Sequence, residues 1–326
     1  MRFSIRLNND LPVAEYPRLA RAAEAAGFDQ IWVSDDLFLR GCWPILSACA
    51  LATARIGIGT CVVNPYSMHP AEIAMQAAAL DELSGGRFSL GIAAGAGEFF
   101  DWVNLPHPKP LGTTASAIRA LRALFAGERG PEGWDQAAYL RFDARAIPIY
   151  LGATSPKMHA MIGELADGGL PLLFPPESYA EVAQRVVEGA ATAGRDAAAI
   201  DLAACIWVSV DANRQAAEDA LRDKIAYYST ALSDTILGRL GVTRAEMEPI
   251  GRAVQTERDL AKARRMVDER MLKIGIAGRG EELLPRLQAL IAAGARHISF
   301  GPPLGPDPLL ALAELGRVIA EMRVKQ

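Results

Sequence analysis

Long apolar runs are missing from this 326-residue chain. None reaches the roughly 18 consecutive apolar residues that a membrane-spanning helix needs, which excludes an α-helical membrane protein. The basic-then-apolar build of a secretory leader is missing too. The chain starts MRFSIRLNND and goes straight into strand-like alternation, so it is expected in the cytoplasm. Positive charge is not in excess: 34 Lys and Arg against 38 Asp and Glu leave a net charge of −4, which removes the electrostatic motive for binding nucleic acid. Cysteine is scarce. Cys42, Cys49, Cys61 and Cys205 have no metal-type spacing, and free buried thiols with no metal centre are expected of them in a cytosolic chain. What remains is a small-molecule partner.

Hydrophobic residues make up 51% of the chain, enough for one large core. Because α/β barrels often exceed the usual domain size undivided, residues 1–326 read as one domain. Short β-rich runs alternate with amphipathic helical runs from end to end, the pattern of a parallel sheet with crossover helices. Phe3–Leu7 reads as the first strand. Glu15–Ala26 has helical periodicity and stops at Gly27, and Gln30–Ser34 follows as the second strand. Further strands are predicted at Ile56–Val63, Phe88–Ala93, Ile147–Gly152, Gly169–Phe174, Leu202–Val210 and His297–Phe300. Together they supply the strands that close a (β/α)8 barrel. Residues 213–268 are charged and helical with little strand character, and they read as a helical insertion packed outside the barrel. A doubly wound open sheet shares the βαβ rhythm. However, no strand is followed by a G-x-G-x-x-G that opens a helix, and Gly- or Pro-bearing turns recur after nearly every strand, as where barrel loops gather to build a site. The predicted fold class is an α/β TIM barrel with a helical insertion in its C-terminal part.

Several strand ends carry chemistry. Asp35 and Asp36 close the second strand, where a carboxylate can hydrogen-bond a ring system or act as acid or base. The alternative for them is a helix cap or a solvated loop end. Cys61, at the end of the third strand, is by itself a small buried hydrophobe. His69, in Met68-His69-Pro70, can hydrogen-bond a ligand or cap the next helix. Gly91, Gly95 and Gly97 let backbone approach a planar ligand because no Cβ intervenes. The phosphate candidate is Gly152-Ala153-Thr154-Ser155-Pro156-Lys157. There a strand, small residues and hydroxyls lead into a proline-started helix whose free N–H groups and dipole favour an anion, with Lys157 adding charge. An ordinary capped helix is the alternative.

Five segments occur in a telling order: GFDQIWVSDD (Gly27–Asp36), RIGIGTCVVNPYSMHP (Arg55–Pro70), LDELSGGRFSLGIAAGAGEF (Leu80–Phe99), IPIYLGATSPKMHAMIGELADG (Ile147–Gly168) and IAGRGEELLPRLQALIAAGARHISFGPPLGPDP (Ile276–Pro308). Together they resemble the bacterial luciferase-like superfamily, in particular its coenzyme F420-dependent branch, which includes the methylenetetrahydromethanopterin reductases. The resemblance covers nearly the whole chain. It implies an oxidoreductase in which a reduced deazaflavin passes a hydride from C5 to a C=N or C=O carbon of a small organic substrate. It also implies a cofactor site of Asp35, Cys61, Val62, Asn64, Gly95, Gly97, Ala153, Thr154, Ser155 and Lys157, with a non-proline cis peptide at Cys61-Val62 behind the ring and the tail phosphate at Thr154–Lys157. Asp36 and Glu98 are the implied proton carriers.

Two departures from the family pattern stand out. Relatives carry Asp-His where this chain has Asp35-Asp36, and the reductases carry a glutamate after the first strand where it has Asn8 and Asn9, which leaves the substrate open. An FMN-dependent monooxygenase of the same superfamily and a non-catalytic flavin-binding relative are the competing functions. A homodimer is expected from the resemblance and from the apolar character of the helix over Pro70–Leu83. The barrel should bring Asp35, Cys61, Gly95 and Thr154 to one rim.

Overall fold

The structure, a computed structural model, describes residues 1–172 and 174–324. Its sheet contains nine strands: β1 (Arg2–Leu7), β2 (Gln30–Val33), β3 (Gly57–Thr60), β4 (Phe88–Ile92), β5 (Ile149–Ala153), β6 (Gly168–Pro171), β7 (Asp201–Val210), β8 (Gly275–Gly278) and β9 (His297–Leu304). All but β8 close a ring of eight. Each of β1 to β6 pairs in parallel with its successor, β7 pairs with β9, and β9 returns to β1. The fold is the predicted closed TIM barrel. β8 lies beside the second half of β7, with Trp207 opposite Gly275 and Val210 opposite Gly278. No strand was predicted at Gly275–Gly278, because four residues with glycine at both ends give neither alternation nor a β-branched run. The predicted strand Gly169–Phe174 spans position 173, outside the described residues; the strand found there is Gly168–Pro171.

The ring strands are short apolar runs because both of their faces are covered: every residue of β2, β4, β5 and β6 is buried. Helices Tyr16–Ala25, Cys42–Ala52, Pro70–Ser84, Pro110–Phe125, Pro156–Leu165, Tyr179–Thr192, Gly280–Ala292 and Pro308–Val324 pack outside. Between β7 and β8 lie helices Arg214–Tyr227, Asp234–Leu240, Arg244–Gln255, Leu260–Met266 and Glu269–Leu272, which gather round a second apolar cluster that includes Leu221, Ile225, Leu237, Met247 and Ile250.

Inside the ring, large side chains face small ones. The Trp32 and Tyr150 rings meet edge-on at 4.9 Å, and Gly59 leaves room for Trp32: a Cβ there would sit 2.4 Å from the indole. β3 and β4 come closest at Gly91, where a Cβ would lie 2.0 Å from the Thr60 carbonyl oxygen. The Thr60 hydroxyl donates to the Gly91 carbonyl at 2.8 Å and accepts its N–H at 2.9 Å.

At the N-terminal end of the barrel a polar cluster ties the strand starts together. Asp201 of β7 accepts from the Tyr150 hydroxyl at 2.7 Å, is ion-paired with Arg2 of β1, and lies 3.1 Å from Nδ1 of His297 on β9. His297 Nε2 is 2.7 Å from the Ser4 hydroxyl, and Arg2 also donates to Gln30 of β2. Burial alone would raise the Asp201 pKa, but His297, Arg2 and Tyr150 together hold it far below the usual carboxylate range. A carboxylate with a depressed folded pKa contributes stability above its unfolded pKa of about 3.9 and loses it as pH falls through the folded value. Asp201→Asn is therefore expected to cost about 2 kcal/mol at pH 7 by removing charge-assisted hydrogen bonds. Urea midpoints of variant and parent should converge as pH drops below 4, and an equal gap at pH 7 and pH 3 would refute the assignment.

Candidate active site

Asp35 follows β2, Cys61 follows β3, Gly95 follows β4 and Thr154 follows β5, so parallel strands bring all four to the C-terminal rim. Asn9, fully buried after β1, shapes this rim: it accepts from the Ser34 hydroxyl at 2.9 Å, and its Nδ2 donates to the carbonyls of Asp36 at 3.1 Å and Arg40 at 2.8 Å. The loop after β2 is thereby pinned to β1. Asp35 accepts the Cys42 N–H at 3.0 Å, so one of its oxygens holds the start of helix Cys42–Ala52. Asp36 is different, since its carboxylate has no hydrogen bond or ion pair among the described residues. Burial pushes its pKa up, opposed by the Lys224 charge and reinforced by Asp35 and Asp10.

The Cys61–Val62 peptide is cis, as the resemblance implies. Burial pushes the Cys61 thiol up to about 12, which keeps it a neutral packing group rather than a nucleophile. Cys61 and Val62 pack on Trp32, Tyr150, Leu170 and Cys205 at the top of the barrel interior. Gly152 makes room for Val62, whose methyl carbon lies 3.1 Å from where a Cβ would stand. Asn64 spends its amide on its own loop: it accepts from the N–H groups of Tyr66 and Ser67 at 3.0 and 2.9 Å and donates to the Ser67 hydroxyl at 2.8 Å. His69 caps helix Pro70–Ser84, its Nδ1 accepting the Ala71 N–H at 3.2 Å.

Gly95 has φ +79° beside the Phe100 ring, a left-handed position where a Cβ would fall 2.4 Å from that ring. Gly97 opens the short helix Gly97–Trp102, and Glu98 stands exposed in its first turn. Ala153 is the buried end of β5 and Thr154 is exposed. The Ser155 hydroxyl accepts the Met158 N–H at 3.5 Å as the cap of helix Pro156–Leu165. Lys157, exposed in that first turn, has no ion pair among the described residues.

Sequence reasoning missed two cations at the barrel mouth. Arg6 of β1 is 7% exposed. It donates to the Ile206 carbonyl at 2.9 Å, while its Nε has no partner and its charge no carboxylate within ion-pair reach. Its one signal was an arginine inside the apolar run FSIRL. Lys224, on helix Arg214–Tyr227, lies over two rings, its ammonium 4.3 Å from the centre of Tyr228 and 5.7 Å from that of Trp207. It has no hydrogen bond or ion pair among the described residues. Burial and the Arg6 charge pull its pKa down to about 8, against the pull of Asp10 and Asp36. In RQAAEDALRDKIAY it looks like any solvated helix lysine. Thus Arg6, Asp10, Asp36, Lys224 and Tyr228 form one electrostatic cluster over the open end of the barrel, beside Cys61.

Comparisons with known proteins agree with this fold. The chain is 32% identical over 324 residues to the 5,10-methylenetetrahydromethanopterin reductase of Methanolobus tindarius, covering 98% of this chain and 99% of the relative. It is 31% identical to the F420-dependent glucose-6-phosphate dehydrogenase of Beutenbergia cavernae, over 93% of this chain and 92% of that one. Among solved structures, the coenzyme F420-dependent tetrahydromethanopterin reductase of Methanopyrus kandleri superposes with a TM-score of 0.88 at 28% identity, covering 98% of this chain and 99% of that chain. The profile described as luciferase-like monooxygenase matches residues 1–297, and the chain belongs to that family.

Proposed function

We propose that this chain is a coenzyme F420-dependent oxidoreductase that moves a hydride to a C=N or C=O carbon of a small organic substrate, as a single domain with its 213–268 helices as an insertion. The observation that carries the reading is full-length likeness, in sequence and in backbone, to F420-dependent enzymes. The rim residues fit the cofactor. Val62 lays its methyls over Gly152 where the back of a flat ring would rest. Thr154, the Lys157 ammonium and the start of helix Pro156–Leu165 offer an unpaired cation and a positive dipole to the tail phosphate.

The bound deazaflavin supplies the hydride, with C5 in place of the N5 of a flavin. The chain's own residues do the rest. Asp36, whose carboxyl is held toward its neutral form by burial, can keep a proton inside the mouth; exposed Glu98 can exchange one with solvent. Asp35 and Asn9 fix the loop that aims Asp36. A second reading, an FMN-dependent monooxygenase, draws on the family's monooxygenase members. Among the described residues no helix is long and apolar enough to cross a membrane, and a cytoplasmic location fits that. A homodimer fits the exposed apolar residues of two neighbouring helices, Leu51 on Cys42–Ala52 with Met75 and Leu83 on Pro70–Ser84.

Three outcomes are expected. Side-by-side titration with F420 and FMN should show saturable F420 binding at micromolar concentration and far weaker FMN binding; the reverse order would favour the monooxygenase. Lys157→Ala should weaken F420 binding about tenfold at low salt with unchanged thermal stability, because an exposed charge adds little to folding but meets a phosphate in the complex. Equal affinity would place the phosphate elsewhere. Sedimentation equilibrium should give twice the chain mass, and a monomer at micromolar concentration would dismiss the dimer.

A further inference from the structure

We propose that Lys224 is a catalytic residue of this site: its ammonium hydrogen-bonds the nitrogen or oxygen of the substrate's C=N or C=O group and delivers the proton that accompanies the hydride. The inference rests on the reading of the site as a hydride-transfer centre and adds a residue to it.

The geometry points there from several sides. An ammonium has three donors and, when taken from water, ordinarily finds acceptors for them. That of Lys224 finds none among the described residues. It is held instead by the faces of Tyr228 and Trp207, at 4.3 and 5.7 Å, which fix its position and leave its protons unused. Other charges of its helix are satisfied: Arg222 pairs with Glu218, Asp219 and Glu269, Arg214 with Glu218, and Asp223 with Arg264 of the neighbouring helix. Lys224 is the exception, and it faces the barrel mouth. The charged groups acting on it come from other elements: Arg6 from β1, Asp10 from the loop after β1 and Asp36 from the loop after β2. Arg6 is itself buried with a partnerless Nε. Two cations left unsatisfied in one mouth call for an electron-rich ligand atom between them.

The chemistry balances. The reacting carbon takes up the hydride and its electron pair, the C=X π bond opens onto the heteroatom X, and X takes a proton from Lys224 Nζ. The lysine is left as a neutral amine and regains its proton from solvent by way of Asp36 or Asp10. With its pKa pulled down to about 8, Lys224 is charged at neutral pH yet releases its proton readily, the condition for an efficient general acid.

The test uses full-length protein labelled with 13C at lysine Cε. One lysine resonance should titrate near pH 8, vanish in Lys224→Met and shift when F420 is added. Its midpoint should rise in Arg6→Met, where a cation is lost, and fall in Asp36→Asn, where an anion is lost. With reduced F420 and methylenetetrahydromethanopterin as the substrate probe, where hydride attack on the bridging methylene carbon breaks its bond to one nitrogen and that nitrogen takes the Lys224 proton, Lys224→Met should lower kcat about a hundredfold or more while the F420 dissociation constant stays within twofold. Lys224→Arg, which keeps the charge and the ring contacts but cannot release a proton, should preserve KM and not kcat. The proposal is overturned if no lysine titrates below the ordinary range, if the Lys224 signal ignores bound cofactor, or if Lys224→Arg turns over as the parent does. Absence of any F420 binding would instead sink the functional reading, with the Lys224 titration then deciding only whether the mouth cluster exists.

Discussion

Ring closure through β9 is the constraint on which everything else hangs. β9 pairs in parallel with β1 on one side and with β7 on the other, so no strand of the ring has a free edge and all run the same way. Every strand start falls at one end and every strand end at the other. At the starting end, the cluster of Arg2, Gln30, Tyr150, Asp201 and His297 ties together β1, β2, β5, β7 and β9, which fixes the stagger of the ring. Its charges are paired and its hydrogen bonds are short. At the other end the loops are free to vary, and the proposed site lies there.

The two ends treat charge in opposite ways. Below, Asp201 has three partners and a strongly depressed pKa, the mark of an ion stabilised by its surroundings. Above, buried Arg6 and half-buried Asp36 and Lys224 share one mouth without a direct bond between them. An unpaired buried charge lowers stability, so buried Arg6, beside half-buried Asp36 and Lys224, supports the proposal that this mouth takes a ligand.

Much of the barrel was legible because parallel strands buried on both faces leave a simple trace, short apolar runs spaced by amphipathic helices. β8 was not, since Gly275–Gly278 pairs only with the overhanging half of β7 and needs no alternating pattern of its own. At the candidate site, sequence placed the loops after β2, β3, β4 and β5 on one rim but could not tell what their side chains do. Asn64, Ser155 and His69 carry polar groups that can serve a ligand or a neighbouring N–H with equal ease, and in the structure each serves a local turn or cap. Lys224 is the opposite case: it sits on a helix full of charges, and only the path of that helix across the barrel mouth separates it from the rest.

An aspartate at position 36, where the resemblance implies a histidine, makes sense beside Lys224. An imidazole can carry a proton near neutrality without help, whereas a carboxylate and an amine in water have proton affinities several units apart. Burial acts on the two with opposite sign, raising the carboxyl and lowering the amine, because it penalises the charged form of each. Burial raises the Asp36 pKa and brings that of Lys224 down to about 8, while the attraction between the two acts against both shifts. Partial burial thus brings the two side chains nearer to one another in proton affinity at one mouth. Asn9 and Asp35 hold the loop that carries Asp36 in place, and fuller exposure to water would widen the gap between the two groups.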